Sequence, residues 1–272
     1  MTDIKKLTLE EIKQIEVMLL KHVANICEEH NIRYFLIYGT LLGAVRHQGF
    51  IPWDDDIDIY MPRPDYERFI TIWKEKVASR ISDVKLLIPL SDVDYYYEYA
   101  KLIAINTICV INQPIKKIDG LGIWIDIFPL DAMPDNYKYH FYRLNIFRRM
   151  RSLSVYTEVP KIRSVKTFCV YIGWKMVKIV GWKFFQKKVL KLSSKYNYET
   201  SKYVACAVLA SKVKYVYPRA YFDKAIQLSF EENMFAVPFE YHKILKQTYG
   251  DYMKLPPLKE RVSLHSFDAY YK

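Results

Sequence analysis

The sequence predicts an α+β fold in which a mixed β-sheet core is flanked by helices and carries a basic, aromatic helical insertion. Three observations support this. Short apolar runs of strand length alternate with helical periodicities over residues 1–133. At Pro134 the pattern changes to long aromatic and basic stretches of helical character over residues 134–200. Residues 201–272 then return to a helix and a tail that pack on the core. No internal repeat or low-complexity linker interrupts the chain, so one core with an insertion is expected rather than independent domains.

The elements follow in order. Thr8 and Glu11 form a capping box, and Ile12, Ile15, Leu19, Val23 and Ile26 recur at helical spacing, so an amphipathic helix is expected over residues 9–29. "RYFLIYG" reads as a buried strand ended by glycine, after which Gly39-Thr40 leads into the short apolar helix "LLGAVR". Residues 55–61 read as a second strand, stopped by Pro62 and Pro64, and "PDYERFITIWKEKVAS" as a helix with Pro64 in its first turn. "VKLLI", "YYEYAKLIAI", "TICVI" and "LGIWIDIFPL" read as further strands. Near the end, "VPFEYHKILKQTYG" predicts a helix capped by Gly250, followed by an ordered but irregular tail over residues 251–272.

Composition narrows the function classes. About half of the 272 residues are apolar, as a packed globular protein requires, and 24 tyrosines supply apolar area with a hydrogen-bonding tip suited to sugars or head groups. Neither a secretory leader nor an apolar run of spanning length stands out, so a cytoplasmic location is expected. Cys27, Cys109, Cys169 and Cys206 are widely spaced, which argues against a disulfide framework or a structural zinc site, and the histidines form no HExxH arrangement. The net charge of +11 is concentrated between Lys138 and Lys191, where fourteen Lys or Arg stand against the single acid Glu158. Such an asymmetry implies an anionic partner.

"IPWDDDIDIYMPRP" packs four aspartates into five positions. In a strand, Asp56 and Asp58 share a face while Ile57 and Ile59 point into the core. Two desolvated carboxylates side by side repel each other, and a divalent cation with oxygen ligands relieves that most directly. Asp126, on the face alternate to Ile125 and Ile127 in "GIWIDIFPL", is suited to complete the seat if the two strands are neighbours. Asp54 and Asp55 read as a solvated turn or cap, and Asp131 as a turn cap.

"YGTLLGAVRHQGFIPWDDDIDIYMPR", with "YAKLI", "GIWIDIFPLD" and "YGDYMKLPP", resembles the LicD family of phosphorylcholine transferases, which is related to fukutin-type proteins. The resemblance implies a nucleotidyltransferase-like fold, a divalent cation (Mg²⁺ or Mn²⁺), and transfer of a phospho-alcohol from CDP-choline or another CDP-alcohol to a glycan hydroxyl, with CMP released. By position it implies Asp56, Asp58 and Asp126 as catalytic and metal-binding acids, and Gly39, Thr40, Arg46 and Lys101 as groups that hold the donor. His47, Arg261 and His265 fall in the pattern without an assigned role. The implied acceptor is a cell-surface glycan or its lipid-linked precursor, and "VYIGWKMVKIVGWKFFQKKVLKL" suggests peripheral contact with the inner membrane surface. Two other readings stand beside this one: a nucleotidyltransferase that attaches NMP from an NTP, and a non-enzymatic binder of nucleic acid or another anionic surface. No nucleic-acid signature accompanies the basic segment, so no nucleic-acid partner is expected.

Overall fold

The computed structural model describes residues 5–209, 213–262 and 267–272. Helix α1 (Leu9–Glu29) starts at the expected capping box. Thr8 Oγ1 accepts from the Glu11 N–H at 3.2 Å, and Glu11 Oε2 accepts from the Thr8 N–H at 2.9 Å. After it come β1 (Phe35–Leu36), α2 (Tyr38–His47), β2 (Asp58–Pro62), α3 (Arg63–Ile72), β3 (Val84–Leu87), β4 (Ala100–Ala104), β5 (Thr107–Ile111) and β6 (Trp124–Met133). The second half holds α4 (Tyr137–Val155), α5 (Val165–Val180), α6 (Trp182–Ser193), β7 (Tyr203–Ala205), β8 (Tyr217–Pro218), β9 (Ala225–Phe230), β10 (Asn233–Pro238), α7 (Tyr241–Tyr249) and β11 (Phe267–Tyr271).

The main sheet runs β1-β2-β6-β4-β3, and β7 and β8 extend it from the far end of β6. β2 and β6 are parallel, whereas β1–β2, β4–β6 and β3–β4 are antiparallel. The fold is therefore α+β with a mixed sheet, as the sequence predicts. Ile57, Ile59, Tyr60, Ile125, Ile127 and Leu130 are wholly buried, so the sheet's apolar face supplies the centre of the core. That alternation fixes register, since a one-residue slip would turn the isoleucines out and the aspartates in.

Several boundaries differ from the sequence reading. The second strand begins at Asp58 rather than at residue 55, and "YYEYAKLIAI" contributes only Ala100–Ala104 to the sheet. The tail is not irregular throughout, because β11 pairs with β5 in antiparallel register. The first residues of "VPFEYHKILKQTYG" belong to β10 of a hairpin, and helix α7 starts only at Tyr241. The hairpin turns on Glu231 and Glu232 at φ 49° and 60°, values that normally call for Asn or Gly. Glu231 is held there by tertiary contacts: its carboxylate accepts from the Phe50 N–H at 2.9 Å, and its own N–H donates to Gln48 O at 3.0 Å.

Asp131 is no turn cap. It lies inside β6, opposite Ala205 of β7, with its side chain fully buried against Arg63, whose Nε donates to it at 2.6 Å. Burial pushes the Asp131 carboxyl up to about 6 against the pull of Arg63. Replacing Asp131 with Ala strands a guanidinium in the core, so Asp131→Ala is expected to lower unfolding free energy by about 3–5 kcal/mol in denaturant titration.

Candidate active site

Three neighbouring strands carry the site on one row. Asp58, the first residue of β2, stands in register with Asp126 of β6, and Asp126 in register with Lys101 of β4. The expected neighbourhood of the two acidic strands is thus met by direct parallel pairing. The ladder continues just outside β2, where the Asp126 N–H donates to Ile57 O at 2.9 Å. Asp56 precedes the strand and is partly buried, in alternation with the fully buried Ile57 and Ile59. Thr40, in the first turn of α2, fixes the row from below: its Oγ1 accepts from the Asp58 N–H at 2.8 Å.

Lys101 is the cation of this row. Only 3 % exposed, it forms an ion pair with Asp126 Oδ1 and lies over the rings of Trp124, Tyr97 and Tyr99 at 4.4, 5.1 and 5.3 Å. The rings shield its flanks and direct the ammonium toward the carboxylate. One lysine does not balance the acids around it. Desolvation, then the charges of Asp56, Asp126 and Asp54, hold the Asp58 carboxyl well above the usual carboxylate range.

A further acid joins from α1. Glu16 is 2 % exposed on the helix face that also buries Ile12, Leu19, Leu20 and Val23. Its Oε2 is buried without a hydrogen-bond partner, and burial followed by the charges of Asp56, Asp55, Asp126 and Asp58 pushes its pKa well up. An acid at a core-facing helical position is the signal in the sequence, masked by the apolar residues around it. Tyr249 at the end of α7 is the second unforeseen neighbour. The residue is 42 % exposed overall, yet desolvation and the charges of Asp58 and Asp54 raise its phenol, which sets it at the rim of the acids.

The remaining expected residues divide. Gly39 lies against Asp54, whose Oδ2 fills the space a Cβ would need, so glycine here admits a carboxylate. Asp54 and Asp55 are not a solvated turn: Asp54 is partly buried and Asp55 is 8 % exposed. Arg46 points to the C-terminal segment instead of the acid row, donating to Tyr252 O at 3.0 Å and to His47 Nε2 at 2.9 Å. Desolvation and the neighbouring charge of Arg261 lower its pKa. Arg261 in turn lies 5.6 Å over the Trp53 ring, beside the "WDDD" segment. Arg261 therefore sets a guanidinium beside the acidic segment, while Arg46 is turned to the Tyr252 carbonyl. His265 lies outside the described residues.

Among the described residues no three carboxylate, imidazole or thiol groups enclose a common point as a finished metal cage. The donor chemistry nevertheless fits a hard divalent cation. Asp56, Asp58 and Asp126 offer only oxygen, Glu16 adds a buried oxygen without a hydrogen-bond partner, and Lys101 is engaged with Asp126 Oδ1. Asp56 and Asp58 would hold such an ion, with Asp126 beside them.

Residues 31–100, the segment from β1 into β4, match the family pattern described as LicD/FKTN/FKRP, nucleotidyltransferase domain. Along nearly its whole length the chain is similar to the lipopolysaccharide cholinephosphotransferase LicD of Haemophilus influenzae, with 30% identity over 274 aligned positions that cover 98% of this chain and 99% of the relative. The chain belongs to the LicD family. A shorter likeness, 46% over 39 residues, links it to the ribitol 5-phosphate transferase FKRP of human and mouse, where it covers 14% of this chain and 8% of the relative. Asp56 and Asp58 lie within the segment that matches the family, and Lys101 and Asp126 lie beyond its end.

Without a divalent cation, the raised carboxyls of Glu16 and Asp58 retain protons in the folded state that the unfolded chain releases. Their contribution is intact at acid pH and is lost as pH rises above the ordinary carboxylate range. Thermal melts in a chelator are therefore expected to fall from about pH 4.5 to 7.5, and Glu16→Gln is expected to flatten that fall and raise Tm at pH 7.5 by about 2–4 °C.

Proposed function

We propose that this LicD-family chain transfers a phospho-alcohol, phosphocholine from CDP-choline, to a hydroxyl of a cell-surface glycan or its lipid-linked precursor, releasing CMP at the cytoplasmic face of the membrane. The observation that carries this reading is the in-register row Asp58–Asp126–Lys101 with Asp56 beside it, in a chain that aligns end to end with a lipopolysaccharide cholinephosphotransferase. Lipopolysaccharide is accordingly the leading acceptor class, with capsule and teichoic acid as related polymers.

The chemistry is in-line displacement at phosphorus. The acceptor oxygen bonds to the phosphorus that carries choline, the bond from that phosphorus to the bridging oxygen breaks, and CMP departs with that oxygen. Asp126 takes the hydroxyl proton, and Lys101 keeps its carboxylate oriented through the ion pair. Mg²⁺ or Mn²⁺ held by Asp56 and Asp58 would neutralise charge on the diphosphate. Arg261, over Trp53 beside the acidic segment, supplies positive charge where the donor's phosphates would enter, and Arg46, bonded to the Tyr252 carbonyl, secures the C-terminal segment from which Arg261 comes. The N-terminal turn of α2, with Gly39 and Thr40, holds Asp54 and Asp58 in place behind the donor.

Turnover of CDP-choline with Mg²⁺ and lipopolysaccharide, read as CMP by chromatography, tests this directly. CMP together with phosphocholine on the glycan is the expected result, and CDP-ribitol and CDP-glycerol are expected to be poorer donors. Consumption of CTP with pyrophosphate release and no CMP would instead make the chain a nucleotidyltransferase. Asp56→Asn and Asp58→Asn are each expected to lower kcat by about 10²–10³-fold while the fold persists, since each removes a carboxylate that would hold the cation neutralising the diphosphate.

A further inference from the structure

Helix α5 wears its amphipathicity outward. Val165, Phe168, Ile172, Met176 and Ile179 follow one another at intervals of three or four residues and so share one face of the helix. They are 81, 49, 41, 63 and 85 % exposed. The opposite face carries Thr167, Tyr171, Trp174 and Lys178, all only half-exposed. α5 thus turns Thr167, Tyr171, Trp174, Val177 and Lys178 toward the protein and its apolar stripe away from it. In a water-soluble helix the arrangement is the reverse, and a contiguous exposed stripe of this kind marks a surface that something else covers.

Charge selects the occupant. The segment Lys138–Lys191 around the stripe has fourteen basic residues and one acid. A second copy of the chain, meeting it across a two-fold axis, would bring these basic segments against each other. An anionic phospholipid surface complements them. Several lysines here already lie along aromatic rings: Lys175 over Tyr171 at 4.9 Å, Lys178 over Trp174 at 5.3 Å and Lys183 over Trp182 at 5.5 Å. Stems laid along rings with ammonium groups at the tip suit the boundary between acyl chains and head groups. No helix of the described residues is long and apolar enough to cross a bilayer, so the geometry is that of a helix lying in the interface.

We propose that α5 is a membrane-docking helix that rests in the plane of an anionic phospholipid surface, with Val165, Phe168, Ile172, Met176 and Ile179 among the acyl chains and the exposed Lys175, Lys183, Lys187 and Lys188 at the head groups. The inference rests on exposed surface chemistry and stands independently of the transfer reaction.

The full-length protein, mixed with vesicles of phosphatidylglycerol and phosphatidylcholine, is expected to float with them and to remain unbound with phosphatidylcholine alone. Ile172→Glu/Ile179→Glu, at exposed positions, is expected to weaken binding at least tenfold with an unchanged melting curve and unchanged CMP release from a soluble acceptor. Lys183→Gln/Lys187→Gln/Lys188→Gln is expected to weaken binding to the anionic vesicles. Cys169 is exposed, whereas Cys27, Cys109 and Cys206 are buried, so a polarity-sensitive dye on Cys169 reports from the edge of the stripe. Its emission is expected to shift to the blue on adding anionic vesicles. The inference is overturned if the wild type does not bind anionic vesicles, or if the Ile172→Glu/Ile179→Glu variant binds as tightly as the wild type. Sedimentation showing a dimer that the same variant abolishes, without vesicle binding, would assign the stripe to self-association.

Discussion

The site depends on keeping like charges together at the margin of an apolar sheet. Parallel pairing of β2 with β6 sets Asp58 beside Asp126, and each acid alternates with isoleucines that have no exposure at all. The isoleucines leave no freedom to separate the carboxylates, because rotating either strand to spread the charge would expose the core. Repulsion is thus held in place by hydrophobic burial. Lys101 offsets part of it by neutralising one oxygen of Asp126, Thr40 fastens the Asp58 backbone against it, and Asp54, seated in the gap left by Gly39, adds to it.

The chain brings these groups from far apart in sequence. α1 contributes Glu16, β4 contributes Lys101, and the end of α7 brings Tyr249 to the rim. Carboxylates stand on the strand row, while the guanidinium of Arg261 lies over Trp53 at the start of the acidic segment. The buried ion pair Arg151–Glu98, with two bonds of 2.9 Å, joins α4 to the tyrosine run that shelters Lys101, so the helical segment is braced against the site from outside.

The acidic row is legible in periodicity alone. The alternation of Ile57, Asp58 and Ile59 and of Ile125, Asp126 and Ile127 determines which way each acid faces, and those strands pair accordingly. The capping box at Thr8 likewise needs only local chemistry. What escapes detection depends on distant partners. The β9–β10 hairpin lacks an Asn-Gly signal because Glu231 is held at positive φ by Phe50 and Gln48, remote in sequence. Asp131 has the local setting of a turn residue because its partner Arg63 lies 68 positions away. Arg46, expected to hold the donor's phosphates, donates to the carbonyl of Tyr252, a contact that no local pattern announces.

Lys101 gives the site an internal counter-ion. Its ammonium is enclosed by three aromatic rings and already rests on Asp126, so the carboxylate row has a neutralising partner built from the chain itself. The neutralisation is one-sided: Asp126 has its counter-charge from within the chain, whereas Asp58 still feels the charges of Asp56 and Asp54. The row thus keeps a neutralised end and a charged end, a polarity set by the fold before any ligand arrives.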